Sequence, residues 1–140
     1  MVKPVIRKAD PDDEKAGMFI AYAFSAYSRK NDVVLDYEEF CYVAESEEGS
    51  IIGVVTGKAY YDEVHISDLV VDENYRGKGL GKRLVKTVED AYREKGYTFI
   101  TLSTFAFQAP EFYKKIGYRI EFIRENKNPK LSKYFLKKDL

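Results

Sequence analysis

The apolar residues of this chain recur with two spacings, which together predict alternating strands and helices. Apolar and aromatic runs predict strands at Val5 to Lys8, Phe40 to Glu45, Ile51 to Tyr60, Glu63 to Val71, Thr98 to Thr104, Tyr118 to Arg124 and Lys133 to Lys138. Helical spacing predicts helices from an N-cap at Asp10 through about Tyr27, over residues 79–95, and at Ala109 to Ile116. Residues 28–39 are a polar connector with room for a short extra helix.

The order of these elements predicts an α/β fold. The acidic, glycine-containing segment SEEGS joins two of the strands and is a hairpin signal. The strand Glu63 to Val71 is followed by a helix and then a strand, which runs parallel to the first if it joins the same sheet. We therefore expect a mixed sheet with helices on both faces. A chain of 140 residues predicts one domain, residues 1–140.

Composition and charge exclude several function classes. Lys plus Arg and Asp plus Glu each total 23, so no overall field attracts nucleic acid or an anionic membrane. The apolar run Met18 to Ala26 is too short to span a bilayer and follows an acidic segment, so we expect no signal peptide and a cytoplasmic location. Cys41 and His65 are the only cysteine and histidine, so no internal disulfide or Cys/His metal site can form. The apolar neighbours of Cys41 favour a buried thiol over a nucleophile paired with His65.

The most informative stretch is residues 70–85, VVDENYRGKGLGKRLV, where a strand passes through a glycine turn into an amphipathic helix. Such a turn gathers unpaired N–H groups at the positive end of a helix, and four basic side chains surround it, so a pyrophosphate is the expected ligand. A P-loop is excluded because Arg83 stands where a Ser or Thr should bind magnesium. The Rossmann fingerprint fails because Lys82 stands at its last glycine.

The pattern Arg76-x-x-Gly79-x-Gly81 after an apolar strand resembles the acetyl-coenzyme A signature of the GNAT superfamily of N-acetyltransferases. The stretch Phe112-Tyr113, with Lys115 and Gly117-Tyr118 after it, resembles the second signature of that superfamily. The resemblance covers residues 51–140 and implies a mostly antiparallel sheet of six to seven strands. It also implies that acetyl-CoA is the cosubstrate and that its binding residues are Leu69, Val70, Val71, Arg76, Gly77, Lys78, Gly79, Leu80, Gly81, Lys82, Phe112 and Tyr113. Many relatives carry an asparagine at the position of Ala106 that binds the pantetheine arm; alanine cannot, and Gln108 is the candidate for this contact.

The resemblance assigns Tyr113 the role of stabilising or protonating the departing thiolate, although an ordinary core tyrosine is the alternative. The position of Ser67 carries a glutamate base in some relatives, and serine cannot replace it. Strict alternation would place His65, Ser67, Leu69 and Val71 on one face of their strand, which makes His65 the best candidate base. Asp68 and Glu63 are weaker candidates, and water without a dedicated base is another.

The predicted function is direct transfer of acetyl from acetyl-CoA to a primary amine of a small molecule or peptide. Because Ser67 and Ala106 depart from the family pattern, a non-catalytic acetyl-CoA or CoA sensor is the alternative. The acceptor is expected between the first helix and the strand of residues 51–60, near aromatic side chains (Phe19, Tyr22, Tyr60 and Phe105) and acidic ones (Asp32, Asp36, Glu38 and Glu39). An exposed edge strand in such a sheet could also pair with a second copy of the chain, so a homodimer is possible.

Overall fold

A computed structural model of the protein describes residues 3–140, and these divide between Leu35 and Asp36 into two compact units. The first unit contains helix α1, Glu14–Lys30. Its N-cap is Asp13, whose carboxylate accepts from the N–H of Ala16 at 2.8 Å. The predicted cap at Asp10 was wrong, because Asp10 instead closes a turn by accepting from the N–H of Asp12 at 2.8 Å. The predicted strand at Val5 to Lys8 was also wrong, since these residues are irregular.

The second unit contains a six-stranded sheet in the order β1-β2-β3-β4-β6-β5. The strands are β1 Tyr37–Glu45, β2 Ile51–Tyr60, β3 Glu63–Val71, β4 Phe99–Phe105, β5 Arg119–Arg124 and β6 Lys133–Asp139, and the helices are α2 Leu80–Glu94 and α3 Pro110–Lys115. Only β3 and β4 pair in parallel. The predicted mixed, mostly antiparallel sheet and its strand-helix-strand crossover are confirmed. The connector between α1 and β1 forms a turn and irregular chain without the extra helix.

The hydrophobic core lies on one face of this sheet. Helix α2 packs on β1, β2 and β3 through the apolar stripe that its sequence predicts, with Leu84, Val85 and Val88 buried. These side chains meet inward-facing residues of four strands, among them Val55, Val64, Ile100 and Leu136. Tyr113 of α3 belongs to the same core. Burial of this stripe fixes where α2 begins, and the glycine turn is therefore held at the end of β3.

A β-bulge in β3 decides which side chains face the core. Thr56 pairs with Asp68 and Gly57 pairs with Ile66, which leaves Ser67 as the extra residue. Gly57 is suited to this position because a Cβ there would collide with the His65 carbonyl and the Phe40 ring. The face assignment from strict alternation was therefore wrong. Val64, Ile66, Leu69 and Val71 pack towards the core, whereas His65 and Asp68 lie on the opposite face, which we call the polar face.

Strands β3 and β4 pair only at their first residues and then diverge. The parallel register joins Glu63 to Phe99, Val64 to Ile100 and His65 to Thr101, and no further pair follows among the described residues. Strand β4 meanwhile stays paired with β6 from Phe99 through Phe105. Beyond His65, one edge of β3 has no strand partner, and a gap opens through the sheet. No helix within residues 3–140 is both long and apolar enough to cross a bilayer.

Candidate active site

The glycine turn before α2 presents a row of unused backbone donors. Gly77 and Gly79 have φ of 76° and 80°, in the left-handed region that favours glycine. Gly79 is the N-cap of α2 and supplies no capping side chain. Within the described chain, the N–H groups of residues 77–82 donate to no acceptor, and the first donor of the helix is Arg83, bonded to the Gly79 carbonyl. These orphan donors and the helix dipole together form an anion cradle, a name we use for residues 77–82.

The cradle opens into a cavity of about 900 Å³, which we call the cradle cavity. Most of the predicted binding residues line it, namely Leu69, Val71, Arg76, Gly77, Gly79, Leu80, Gly81, Lys82, Gln108 and Phe112. The predicted residues Lys78, Val70 and Tyr113 do not. The sequence prediction missed five lining residues, Tyr75, Phe107, Ala109, Lys115 and Ile116. Lys115 belongs to the second signature quoted above, so that motif could have identified it as a lining residue.

The side chain of Arg76 is anchored beside the cradle. Its Nε donates to the carbonyl of Val71 at 3.0 Å, which ties the guanidinium to the last residue of β3. The cradle also approaches α3 closely, because a Cβ added at Gly81 would lie 3.4 Å from Cζ of Phe112. Cationic side chains, orphan N–H groups and an apolar wall thus meet in one place. This donor set suits a diphosphate joined to an apolar arm.

A cleft of about 170 Å³ fills the gap between β3 and β4. Leu69, Gln108 and Ala109 line both this cleft and the cradle cavity, so the two spaces adjoin. The Gln108 side chain is fixed there because its Oε1 accepts from the N–H of Phe105 at 3.1 Å. Its amide NH₂ donates to no acceptor within residues 3–140 and is available to a ligand.

Tyr113 lines this cleft from the core side. Only 7% of its surface is exposed, and its ring meets Phe112 and Tyr118 edge to face at 5.0 and 5.7 Å between centroids. Its hydroxyl forms no hydrogen bond within residues 3–140 and is not among the fully buried unpaired polar atoms, so it borders the open cleft. Burial raises the pKa of Tyr113 to about 12. The hydroxyl is therefore a protonated donor at neutral pH.

On the polar face, a third cavity of about 520 Å³ is lined mainly by β1 and β2. Ser67, the bulged residue, lines both this polar cavity and the cleft. Glu39, Thr56 and Lys58 supply its hydrogen-bonding and charged groups. Asp68 lines the adjoining cleft and accepts from the Thr56 hydroxyl at 3.0 Å. The three cavities thus form a series that crosses the sheet from the cradle to the polar face.

His65 lies on the polar face at the last β3–β4 pair. Its Nδ1 is 2.9 Å from the Thr101 hydroxyl, and that hydroxyl donates to Glu63. Burial lowers the pKa of His65 below its usual value; Glu63 opposes this shift, and Lys58 and Lys133 add to it. His65 lines none of the three cavities, but Lys58, opposite it on β2, lines the polar cavity, and Ile66 lines the cleft.

The acidic residues of β1 and the single cysteine, which the sequence also singled out, lie in different surroundings. Asp36 accepts from the Tyr97 hydroxyl at 3.2 Å and Glu38 from Lys95 at 2.8 Å, so these two carboxylates tie β1 to the end of α2. Glu39 instead faces the polar cavity. The prediction that Cys41 is buried was wrong, because Cys41 is exposed on the polar face while Phe40 packs inward. Residues 3–140 contain no group of three potential metal ligands.

Comparison with known proteins gives a consistent result. Residues 7–118 match the model of the acetyltransferase (GNAT) family. The chain is 34% identical over 104 residues to blasticidin-S acetyltransferase from Streptomyces morookaense, covering 74% of this chain and 76% of that protein.

Solved structures agree in fold. An acetyltransferase from Bacillus cereus ATCC 14579 superposes with a TM-score of 0.78 at 36% identity, covering 96% of this chain and 98% of that one. A candidate streptothricin acetyltransferase from Bacillus anthracis str. Ames, in complex with acetyl coenzyme A, gives a TM-score of 0.66 at 25% identity. That match covers 79% of this chain and 67% of the other.

Proposed function

The chain belongs to the acetyltransferase (GNAT) family, and we propose that it transfers acetyl directly to a primary amine of a small molecule within a ternary complex. The predicted N-acetyltransferase activity and the predicted cosubstrate, acetyl-CoA, are confirmed by the family match and by relatives with this ligand. One observation supports direct transfer. The cradle, the cleft and the polar cavity adjoin in series, so two substrates can meet inside the sheet.

We assign the cradle to the diphosphate of acetyl-CoA. The orphan N–H groups of residues 77–82 and the side chains of Arg76 and Lys82 supply charge-assisted donors. Leu69 and Val71, at the unpaired edge of β3, align the pantetheine arm, and Gln108 donates to it where the two cavities adjoin. A glycine-lined backbone cradle suits this task because a side chain would hold the phosphates away.

We assign the polar cavity to the acceptor amine. Its volume of about 520 Å³ is that of a small-molecule site. Glu39 and Asp68 place carboxylates on this side of the sheet, where they attract a cationic amine before it loses its proton. Blasticidin-S acetyltransferase, a relative that aligns with this chain over 76% of its own length, is named for a small-molecule acceptor.

The transfer forms a C–N bond and breaks the thioester C–S bond, so the amine loses a proton and the thiolate must be stabilised. We assign the second task to Tyr113. Full proton transfer from a hydroxyl with a pKa of about 12 to a thiolate of pKa about 8.5 is uphill by about 5 kcal/mol. Tyr113 therefore acts as a hydrogen-bond donor to the thiolate, which takes its final proton from solvent. His65, largely neutral at pH 7, lies outside the polar cavity and accepts the proton of the amine through water.

Replacement of Tyr113 by phenylalanine tests this assignment. Tyr113→Phe should lower kcat about 100-fold and leave the affinity for acetyl-CoA unchanged, because the hydroxyl acts only on the departing sulfur. Release of free thiol, measured against polyamines, amino acids, aminoglycosides and amino sugars, gives the rate and identifies the acceptor class.

Tyr118→Phe is the matched control for this experiment. The Tyr118 hydroxyl donates to the buried carboxylate of Glu89 at 2.8 Å, so its loss should reduce stability by about 1–2 kcal/mol with little effect on kcat. A Tyr113→Phe enzyme with normal kcat would remove Tyr113 from the mechanism. Tight binding of acetyl-CoA without turnover of any amine would instead contradict the acceptor assignment.

A further inference from the structure

The hydrogen bonds around His65 determine which of its ring nitrogens carries the proton. Thr101 lies between His65 and Glu63, with its Oγ1 2.9 Å from His65 Nδ1 and 2.5 Å from a Glu63 carboxylate oxygen. A threonine hydroxyl has one hydrogen to donate, and an ionised carboxylate can only accept. The hydrogen of Thr101 therefore goes to Glu63, and Thr101 Oγ1 must accept from His65. The neutral imidazole then has its proton on Nδ1.

We propose that Glu63 and Thr101 are positioning residues that hold His65 with Nδ1 protonated, so that Nε2 receives, through water, the proton lost by the acceptor amine. This inference rests on the proposed function. Within residues 3–140, Nε2 has no hydrogen-bond partner, so its lone pair is available. The backbone supports the same role, because His65 occupies the last pair before β3 and β4 diverge into the cleft.

The proton accounting closes without any further reactant. The cationic amine first gives one proton to solvent. The neutral nitrogen then bonds to the acetyl carbon, the C–S bond breaks, and the nitrogen gives its second proton through water to Nε2. The imidazolium keeps its Nδ1–H bond to Thr101, and the negative charge of Glu63 stabilises the new positive charge. His65 later returns the proton to solvent, and the thiolate is protonated separately.

The charged groups around His65 favour a neutral resting state. Burial is the largest influence on the pKa of His65 and lowers it. Glu63, on the same strand, raises this pKa, and Lys58 on β2 and Lys133 on β6 lower it further. The imidazole is therefore largely the free base at neutral pH, as a general base requires. Because Glu63 raises the pKa, Glu63→Gln should move the acidic limb of kcat/KM to lower pH, a shift that a purely structural role would not produce.

The tautomer can be measured directly because His65 is the only histidine. In ¹⁵N-labelled protein without a histidine tag, a long-range ¹H–¹⁵N spectrum contains one imidazole. At about pH 8, above the ordinary histidine pKa of about 6.5, we expect a protonated Nδ1 and a bare Nε2. Thr101→Val removes the acceptor that holds the proton on Nδ1 and should shift the signals towards the Nε2-protonated form. It should also lower kcat about 10-fold with little change in the KM for acetyl-CoA.

Thr98→Val is the matched control, since Thr98 is exposed just before β4 and its hydroxyl donates to the Asp62 carbonyl rather than to His65. It should leave the spectrum and kcat unchanged. An Nε2-protonated imidazole in the native protein, or a Thr101→Val enzyme with normal kcat and pH profile, overturns the inference while acetyl transfer stands. A protein that acetylates no amine in the acceptor panel contradicts the proposed function instead, whatever its tautomer.

Discussion

The two ends of the cleft between β3 and β4 are built by different means. At the cradle end, consecutive backbone N–H groups from residues 77–82 point to one place, and their geometry depends on left-handed glycines. At the polar end, side chains from separate strands share the polar face of the sheet, including Glu39, Asp68 and His65. The cradle therefore depends on backbone conformation, and the polar end depends on which face each side chain occupies. Substitutions should separate these two dependences.

The largest expected effect is at the cradle. Gly79→Val puts a β-branched side chain at a φ of 80°, which strains the turn, and places methyl groups beside the orphan donors. Loss of two charge-assisted hydrogen bonds to a diphosphate should weaken binding of acetyl-CoA about 100-fold or more. Isothermal titration calorimetry with CoA measures this change without any need for an acceptor.

Gly49→Val separates strain from lost binding. Gly49 has a φ of 85° in the β1–β2 turn, also with no atom near its added Cβ, but it lies outside all three cavities. It should lose stability as Gly79→Val does and still bind CoA normally. Equal loss of affinity in the two variants would show that the cradle has no special role.

A smaller effect is expected at the polar end. Asp68→Asn keeps an oxygen to accept from Thr56 but removes a negative charge beside the acceptor, so the KM for the amine should rise about 10-fold. The affinity for CoA should stay unchanged. Asp62→Asn, the same change in the turn between β2 and β3 and outside the cavities, is the control. An unchanged KM in Asp68→Asn would remove electrostatic attraction from the description of the polar end.

The cradle could be predicted from sequence because its parts are local. A strand end, three glycines and an amphipathic helix within residues 70–94 define the position of the donors without reference to any distant residue. The meander, the crossover and all six strands of the sheet were predicted for the same reason, since each depends on a short pattern. The strand predicted at Val5 to Lys8 failed because a short apolar run needs a pairing partner to become a strand.

The polar end could not be predicted because one inserted residue controls it. The bulge at Ser67 reverses the inward and outward positions of every residue after it, so Leu69 and Val71 join the core and Asp68 joins His65. No feature of VHISDLVV distinguishes a bulged strand from a regular one. Gly57, on the neighbouring strand, is the nearest sequence signal, and its meaning depends on the register between β2 and β3. Thr101 was missed because only strand pairing brings it to His65.

The smallest expected effect is the change in stability at alkaline pH that is due to Tyr113, which lies between the two ends. An unfolded chain releases a tyrosine proton near pH 10, and burial raises the pKa of Tyr113 to about 12 in the folded protein. Between these two pH values the folded state binds more protons than the unfolded state. The contribution of Tyr113 to the free energy of unfolding is therefore fully present below pH 10 and is lost as the pH rises towards 12. From pH 9 to pH 11, the native protein should lose about 1 kcal/mol more than Tyr113→Phe in urea unfolding. Equal losses in the two proteins would mean that burial does not raise the pKa of Tyr113, and its hydroxyl would then lose its assignment as a buried donor to the departing sulfur.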